Sequence, residues 1–265
     1  MIMRIVMMLM VGSWAMANDS KVWVFGIVPQ QSAVKLVRDW GPVLAAAGEQ
    51  AGVQLEFATA PDIPTFEYRV ANGHYDFAYM NPFHFVEFNR SPGFRALVHA
   101  KEKKIQGIVV AKKGSKLEGL KDLQSGELAF PAPGAFAATL LVIGNTQNQG
   151  VSIQASFVGS HDAVYRNVAS GRFIAGGGIY RTFNALSEDV RSQLEVLWQS
   201  PGYTPHAIAA HPRVPEAISK KLQQAFINLG NKELLEPLKI PGFEQAEDHY
   251  WDDVRALNIN HVLNR

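Results

Sequence analysis

The run Val70-Ala71-Asn72-Gly73-His74-Tyr75-Asp76-Phe77-Ala78 returns in degenerate form as Val168-Ala169-Ser170-Gly171-Arg172-Phe173-Ile174-Ala175-Gly176. Each copy reads as the last turn of an amphipathic helix, a glycine cap and a short buried strand opening into a loop. The copies lie 98 residues apart, from 70 to 168, which is too far for a solenoid repeat and suits two lobes of like design. Two αβ lobes whose strands end at a shared crevice describe a bilobal ligand binder.

The chain is long enough for that: 265 residues, 47% hydrophobic and 18% charged, give each of two lobes a core of its own. A formal charge of +1 with no charge block argues against nucleic acid or another polyanion as partner. The start has a different character. Arg4, the apolar run Ile5 to Val11 and Ala15-Met16-Ala17 read as a secretory leader over residues 1–17, cleaved after Ala17, and so as export to the periplasm. The apolar run is too short to span a bilayer. There is no cysteine, hence no disulfide and no lipid-modified cysteine, and a free monomer is expected.

Strands and helices alternate. Val22 to Ile27 reads as a strand ending in the Pro29-Gln30-Gln31-Ser32 loop, and Ser32 caps a helix through Leu36, Trp40, Val43 and Ala47, with Pro42 as an irregularity. Strands at Val53 to Phe57 and Tyr75 to Met80 flank a helix over Thr65 to Ala71. The pattern restarts at Gln106 to Ala111, Glu127 to Phe130, a helix over Phe136 to Gly144, Ser152 to Val158, and a helix from His161 to Ala169. Two apolar runs between Leu194 and Ala210 flank Pro201-Gly202-Tyr203-Thr204-Pro205 and read as a return crossing; amphipathic helices follow from Pro215. The expected organisation is α/β, with open, mostly parallel sheets. Residues 18–104 and 204–265 form a discontinuous first lobe, residues 105–203 form the second, and two crossovers make a hinge. Ligands of such sheets bind beyond the carboxyl ends of the strands.

Several landmarks in order resemble the phosphate/phosphite/phosphonate-binding periplasmic proteins of ABC transporters (the PhnD-like family). They are Gly26-Ile27-Val28-Pro29, Trp40-Gly41-Pro42, Gly73-His74-Tyr75-Asp76-Phe77-Ala78, Asp122-Leu123, Phe130-Pro131-Ala132-Pro133 and Gly159-Ser160-His161-Asp162-Ala163. The resemblance implies a type II periplasmic-binding-protein fold, closure of two lobes on a small ligand, no catalysis and no cofactor. It also implies a run of hydroxyl side chains opening a helix after the Phe130 strand, where hydroxyls and backbone N–H groups converge on an oxyanion. The equivalent positions here are Ala135, Phe136 and Ala137. A tyrosine implied after the second strand corresponds to Ile63, and an acid implied in the second repeat copy to Ile174. These departures all run toward apolar, so the expected ligand is a less polar anion than phosphate: an organic carboxylate, a sulfonate or a substituted phosphonate.

The remaining polar candidates are few. His161 matches the implied cleft histidine, as an anion donor or as a helix-start residue satisfied locally. Arg181, next to Tyr180, either clamps an oxyanion or is solvated. Tyr79 and Asn81 end the third strand and either touch ligand or fill the core and a turn; Gln30 and Gln31 offer amides from the first loop. Phe66, Tyr75, Phe77, Phe83 and Phe85 read as packing. An enzyme is not expected: there is no H-E-x-x-H, no G-x-S-x-G, and Gly176-Gly177-Gly178 is followed by Ile-Tyr-Arg rather than by a P-loop lysine. That triple glycine reads as a place of close backbone approach at the cleft or hinge. His206 and His211 lie on opposite faces of a strand and make no metal pair. The partner implied is an inner-membrane ABC permease, or, for a sensor of the same fold, a membrane histidine kinase or receptor.

Overall fold

The computed structural model describes residues 21–257; the leader, its cleavage point and residues 258–265 of the expected first lobe lie outside the described residues. The chain opens with β1 (Val22–Ile27), α1 (Ala33–Ala51), β2 (Gln54–Ala58), α2 (Ile63–Ala71), β3 (Phe77–Met80), α3 (Pro82–Arg90) and β4 (Arg95–Ala100). It crosses to β5 (Gly107–Lys112), β6 (Glu127–Phe130), α4 (Leu141–Asn148), β7 (Gln154–Phe157), α5 (His161–Ala169), β8 (Ala175–Ile179), α6 (Tyr180–Asn184), α7 (Glu188–Arg191) and β9 (Leu194–Gln199). It then returns as β10 (Ala207–Ala210), α8 (Glu216–Ile227), α9 (Lys232–Leu235), β11 (Phe243–Gln245) and α10 (Asp252–Arg255). One sheet runs β11-β4-β10-β3-β1-β2 and the other β7-β6-β8-β5-β9. Type II topology is present: β10, laid down after the second lobe, sits between β3 and β4 of the first.

The sheets are mixed, which corrects the expectation of mostly parallel ones. β1 pairs in parallel with β2 and β3, but β10 runs antiparallel to both neighbours and β11 antiparallel to β4. In the second sheet β6 is parallel to β7 and β8, and β5 is antiparallel to β8 and β9. The cause is topological. Each crossover enters the new sheet from the crevice side, so the strand that follows runs away from the crevice while the βαβ strands run toward it. β4 and β11 carry no distinctive sequence signal beyond short apolar runs.

Local chemistry sets the helix ends. Ser32 caps α1 and Gly52 ends it in the left-handed region (φ 66°). Pro42 lies inside α1, as the sequence led one to expect, and the helix continues past it. Its neighbours Trp40, Val43 and Leu44 pack with Phe25 and Phe226 in one buried cluster, and that packing outweighs the one backbone bond a proline forfeits. The repeat is real in the backbone: Gly73 and Gly171 both take positive φ, 66° and 79°, at the same point of each copy. The triple glycine does permit close approach, but inside the second lobe. A Cβ on Gly177 would lie 1.8 Å from the Ala138 carbonyl oxygen, and one on Gly178 would lie 2.3 Å from the Tyr165 hydroxyl.

Candidate functional site

Strand register brings the crevice residues together. β10 lies antiparallel to β3 with Ala207 opposite Met80, so His206 flanks the rim where β3 ends. β5 lies antiparallel to β8 with Gly107 opposite Ile179, so Gln106 flanks the rim where β8 gives way to Tyr180 and Arg181. Between these rims lies a cavity of about 570 Å³, whose wall includes Gln31, Trp40, Tyr79, Tyr180, Arg181 and His206.

On the first lobe the wall is a stack of rings. Tyr79 lies on His206 with centroids 4.9 Å apart and planes 16° apart, and Trp40 packs on Tyr79 at 4.5 Å. The Gln30 amide nitrogen donates to His206 Nε2 at 2.9 Å, which leaves Nδ1 to carry the ring's proton. Burial pushes the His206 pKa well below its ordinary value, and Arg181, His84 and His161 press it further. Among the described residues, Gln30 Oε1 and Trp40 Nε1, both buried here, find no hydrogen-bond partner.

On the second lobe Tyr165 organises the end of β8. Its hydroxyl accepts from the Ile179 N–H at 3.1 Å and lies 2.8 Å from Thr182 Oγ1, while Thr182 stands 3.4 Å from His161 Nδ1. His161 opens α5, capped by Ser160, and is 2% exposed. Burial first, and the Arg181 charge second, bring its pKa down to about 3, so the ring is neutral. Burial raises the Tyr79 pKa and Arg181 opposes that rise. Arg181 thus acts on three rings of the cleft at once, His161 and His206 buried and Tyr79 half-buried. Among the described residues no carboxylate pairs with it; Asp39, on the same wall, is held by Lys35 at 2.6 Å and Arg38 at 3.0 Å.

The positions implied for the oxyanion cradle lie elsewhere and are closed. Ala135, Phe136 and Ala137 are buried, and the expected helix there begins as a π turn, Phe136–Leu140, before α4. Phe136 belongs to an apolar cluster shared by both lobes, with Ile63, Phe66 and Phe85 from the first and Ile179 from the second. Its ring meets Tyr203 edge-on at 5.8 Å. Asn81 is committed as well: Oδ1 caps α3 by accepting from the His84 N–H at 2.8 Å, and Nδ2 donates across the cleft to the Gly134 carbonyl at 3.0 Å.

Of the residues singled out by sequence, the structure gathers Gln31, Tyr79, Tyr180 and Arg181 on the cavity wall, with Gln30 and His161 directly behind. Ile63 and Ala135–Ala137 form an apolar seam, and Asn81 is a structural link. Ile174 is corrected outright. It precedes β8, is 44% exposed, and packs against Gly126, about 15 Å of strand away from the crevice end. Its counterpart Asp76 is equally remote, holding the Val24 N–H at 2.9 Å and Arg213 Nε at 2.8 Å. The Tyr180 hydroxyl donates away from the cavity, to Gln199 Oε1 at 2.6 Å. His206 and Trp40 were missed. The signal for His206 was its place directly after the Pro201–Pro205 crossing, whereas Trp40 obeys a core periodicity and carries none.

Two αβ lobes, two crossovers and an interlobe cavity ringed by strand ends define a type II periplasmic-binding protein. The chain matches the family model described as "ABC transporter, phosphonate, periplasmic substrate-binding protein" over residues 25–251, and it belongs to that family. A probable phosphite-binding protein of an ABC transporter, PhnD1 of Prochlorococcus marinus, is 27% identical over 161 residues, 54% of each chain, so the match spans about half the length of that relative. The structure of PhnD1 from the same organism in complex with methylphosphonate superposes with a TM-score of 0.82 at 21% identity, covering 92% of this chain and 98% of that one. A binding component of an ABC phosphonate transporter from Pseudomonas aeruginosa gives 0.81 at 20% identity, covering 91% and 86%. Among the described residues no helix is long and apolar enough to cross a membrane.

Proposed function

We propose that this protein is a monomeric periplasmic carrier that holds a small organic anion in the interlobe cavity and delivers it to an inner-membrane ABC permease, without chemical turnover. One observation carries the ligand class: the unpaired Arg181 guanidinium at the ring-lined end of a cavity of about 570 Å³. A guanidinium offers two parallel donors to a carboxylate, sulfonate or phosphonate, and the neutral His161 and His206 beside it add no second charge. The rings Trp40, Tyr79 and His206 suit an organic substituent. The lobes, 18–104 with 204–265 and 105–203, close around residues 104–105 and 203–204, where Ile105 and Tyr203 already exchange backbone hydrogen bonds at 2.8 and 2.9 Å. No observation favours the sensor alternative.

A thermal-shift panel on the chain from Asn18 onward tests the reading, with inorganic phosphate, alkylphosphonates, alkylsulfonates and small carboxylates. A ligand at 100 times its Kd stabilises by about 2.7 kcal/mol, a rise of roughly 5–10 °C for a chain of this size. The expected hit is an organic anion. A larger rise with inorganic phosphate than with every organic anion overturns the assignment of ligand class.

A further inference from the structure

The cavity that holds Arg181 has a second cationic station. The crossover into β5 sets Lys103 and Lys104 on the same wall, beside Ile105 and Gln106. Other lysines of that wall are matched, Lys35 by Asp39 and Lys239 by Glu236. Among the described residues Lys103 and Lys104 pair with no carboxylate; Lys104 Nζ reaches only the Thr204 hydroxyl, at 3.5 Å. Three unmatched positive charges therefore face one cavity in a chain whose net formal charge is +1. They are also sorted by depth. Arg181 is half-buried among rings, whereas Lys103 and Lys104 are exposed at the mouth. Apolar wall from Trp40, Ile179 and Ile105 accompanies the two stations. A volume of about 570 Å³ falls in the range that encloses whole organic molecules, well beyond one tetrahedral oxyanion.

We propose that the ligand carries two acidic groups on a short apolar chain, one seated on Arg181 and the other on Lys103 and Lys104. A dicarboxylate or a carboxyalkylphosphonate has this form. The inference rests on the anion-binding reading above and narrows it. The two stations differ in kind: the guanidinium selects a planar or tetrahedral oxyanion by paired hydrogen bonds, while the lysines act as movable point charges and tolerate some variation in chain length.

Isothermal titration with four probes tests it: propionate and methylphosphonate with one acidic group, succinate and phosphonoacetate with two. The two-acid probes are expected to bind about tenfold or more tighter than their one-acid counterparts, with a margin that shrinks as salt rises. Lys103→Gln/Lys104→Gln is expected to erase that margin, and Lys121→Gln, an exposed lysine off the cavity, to leave it intact. Equal affinity for one-acid and two-acid probes overturns the inference while leaving the role of Arg181 standing. So does a margin that survives in the double variant. Failure of the wild-type chain to bind any of the four overturns this inference and strikes carboxylates and phosphonates from the anion reading on which it rests.

Discussion

Arg181 acts on Tyr79, His161 and His206 alike, yet among the described residues no carboxylate pairs with it. A guanidinium left in that condition is costly unless an anion arrives. Replacing it has two separable consequences. Arg181→Ala is expected to weaken binding of any anionic ligand at least about tenfold, the worth of one charge-assisted contact, while the melting temperature of the ligand-free chain holds or rises. Titration calorimetry and a melting curve check both, and unchanged affinity would mean that the guanidinium faces solvent. The two buried histidines add a pH dependence. Both have folded pKa values below 6.5, so between that value and the folded pKa, about 3 for His161, the unfolded chain binds more protons than the native one. Stability therefore falls as pH drops below about 6.5, by up to about 1.4 kcal/mol per pH unit for each histidine. His161→Asn is expected to flatten this limb in melting curves taken from pH 7 to pH 4, whatever it does to stability at pH 7. Gln31, Tyr79, Tyr180 and Arg181 could be set beside the crevice from sequence because each lies in the last residues of a strand or just past its end. Ile174 was misplaced because the repeat marks where a strand begins, and a ligand is met where it ends.

At the level of elements, β8 shows how a strand is made to serve a site. Three consecutive glycines strip it of side chains so that α5 and the π turn press onto both of its faces, and this fixes the direction in which Ile179 hands over to Tyr180 and Arg181. The Ala138 carbonyl that a Cβ on Gly177 would strike belongs to the backbone and cannot swing aside. Gly177→Ala is accordingly expected to cost about 2–3 kcal/mol or more, seen as a lower urea midpoint at unchanged slope. Helix starts and βαβ strands could be read from the sequence, since capping residues and apolar runs are local signals; α5 and β6 fall at the expected residues. Strand direction could not. Whether β5 or β10 runs with or against its neighbours depends on which rim the crossover reaches, and no residue within either strand encodes that. The π turn escaped for a similar reason: Phe136–Leu140 is plain helix by composition, and its extra residue answers to the crowding of Gly107 and Gly177 against the Ala137 and Ala138 carbonyls.

For the whole molecule, the apolar seam changes the balance between open and closed lobes. Parting them exposes the Phe136 ring, now 1% exposed, at a cost of roughly 2–3 kcal/mol, and breaks the bond from Asn81 to the Gly134 carbonyl. The closed arrangement is thereby favoured before any ligand contributes. Phe136→Ser is expected to shift the population toward the open form, read as a larger radius of gyration in solution scattering without ligand, together with a greater compaction when ligand is added. An unchanged profile would show that the seam does not govern closure. The apolar replacements at Ile63 and Ala135–Ala137 were plain in the sequence. That they seal one side of the cleft, while the cavity opens on the other, depends on packing between segments some seventy residues apart.

The position of β10 bears on how such a chain comes into being. β3 and β4 are not neighbours in their sheet; both pair with the strand laid between them, residues 207–210, which leaves the ribosome after the whole five-stranded sheet. The first hundred residues thus emerge without β10 and β11, the two strands that complete their sheet, whereas the inserted segment holds every strand it needs. Synthesis order and folding order are set against each other, and the nascent N-terminal half stays unfinished until its last strand arrives. The second lobe can close its sheet while the first still waits for residues 207–210, so the two halves of one crevice are completed at different times.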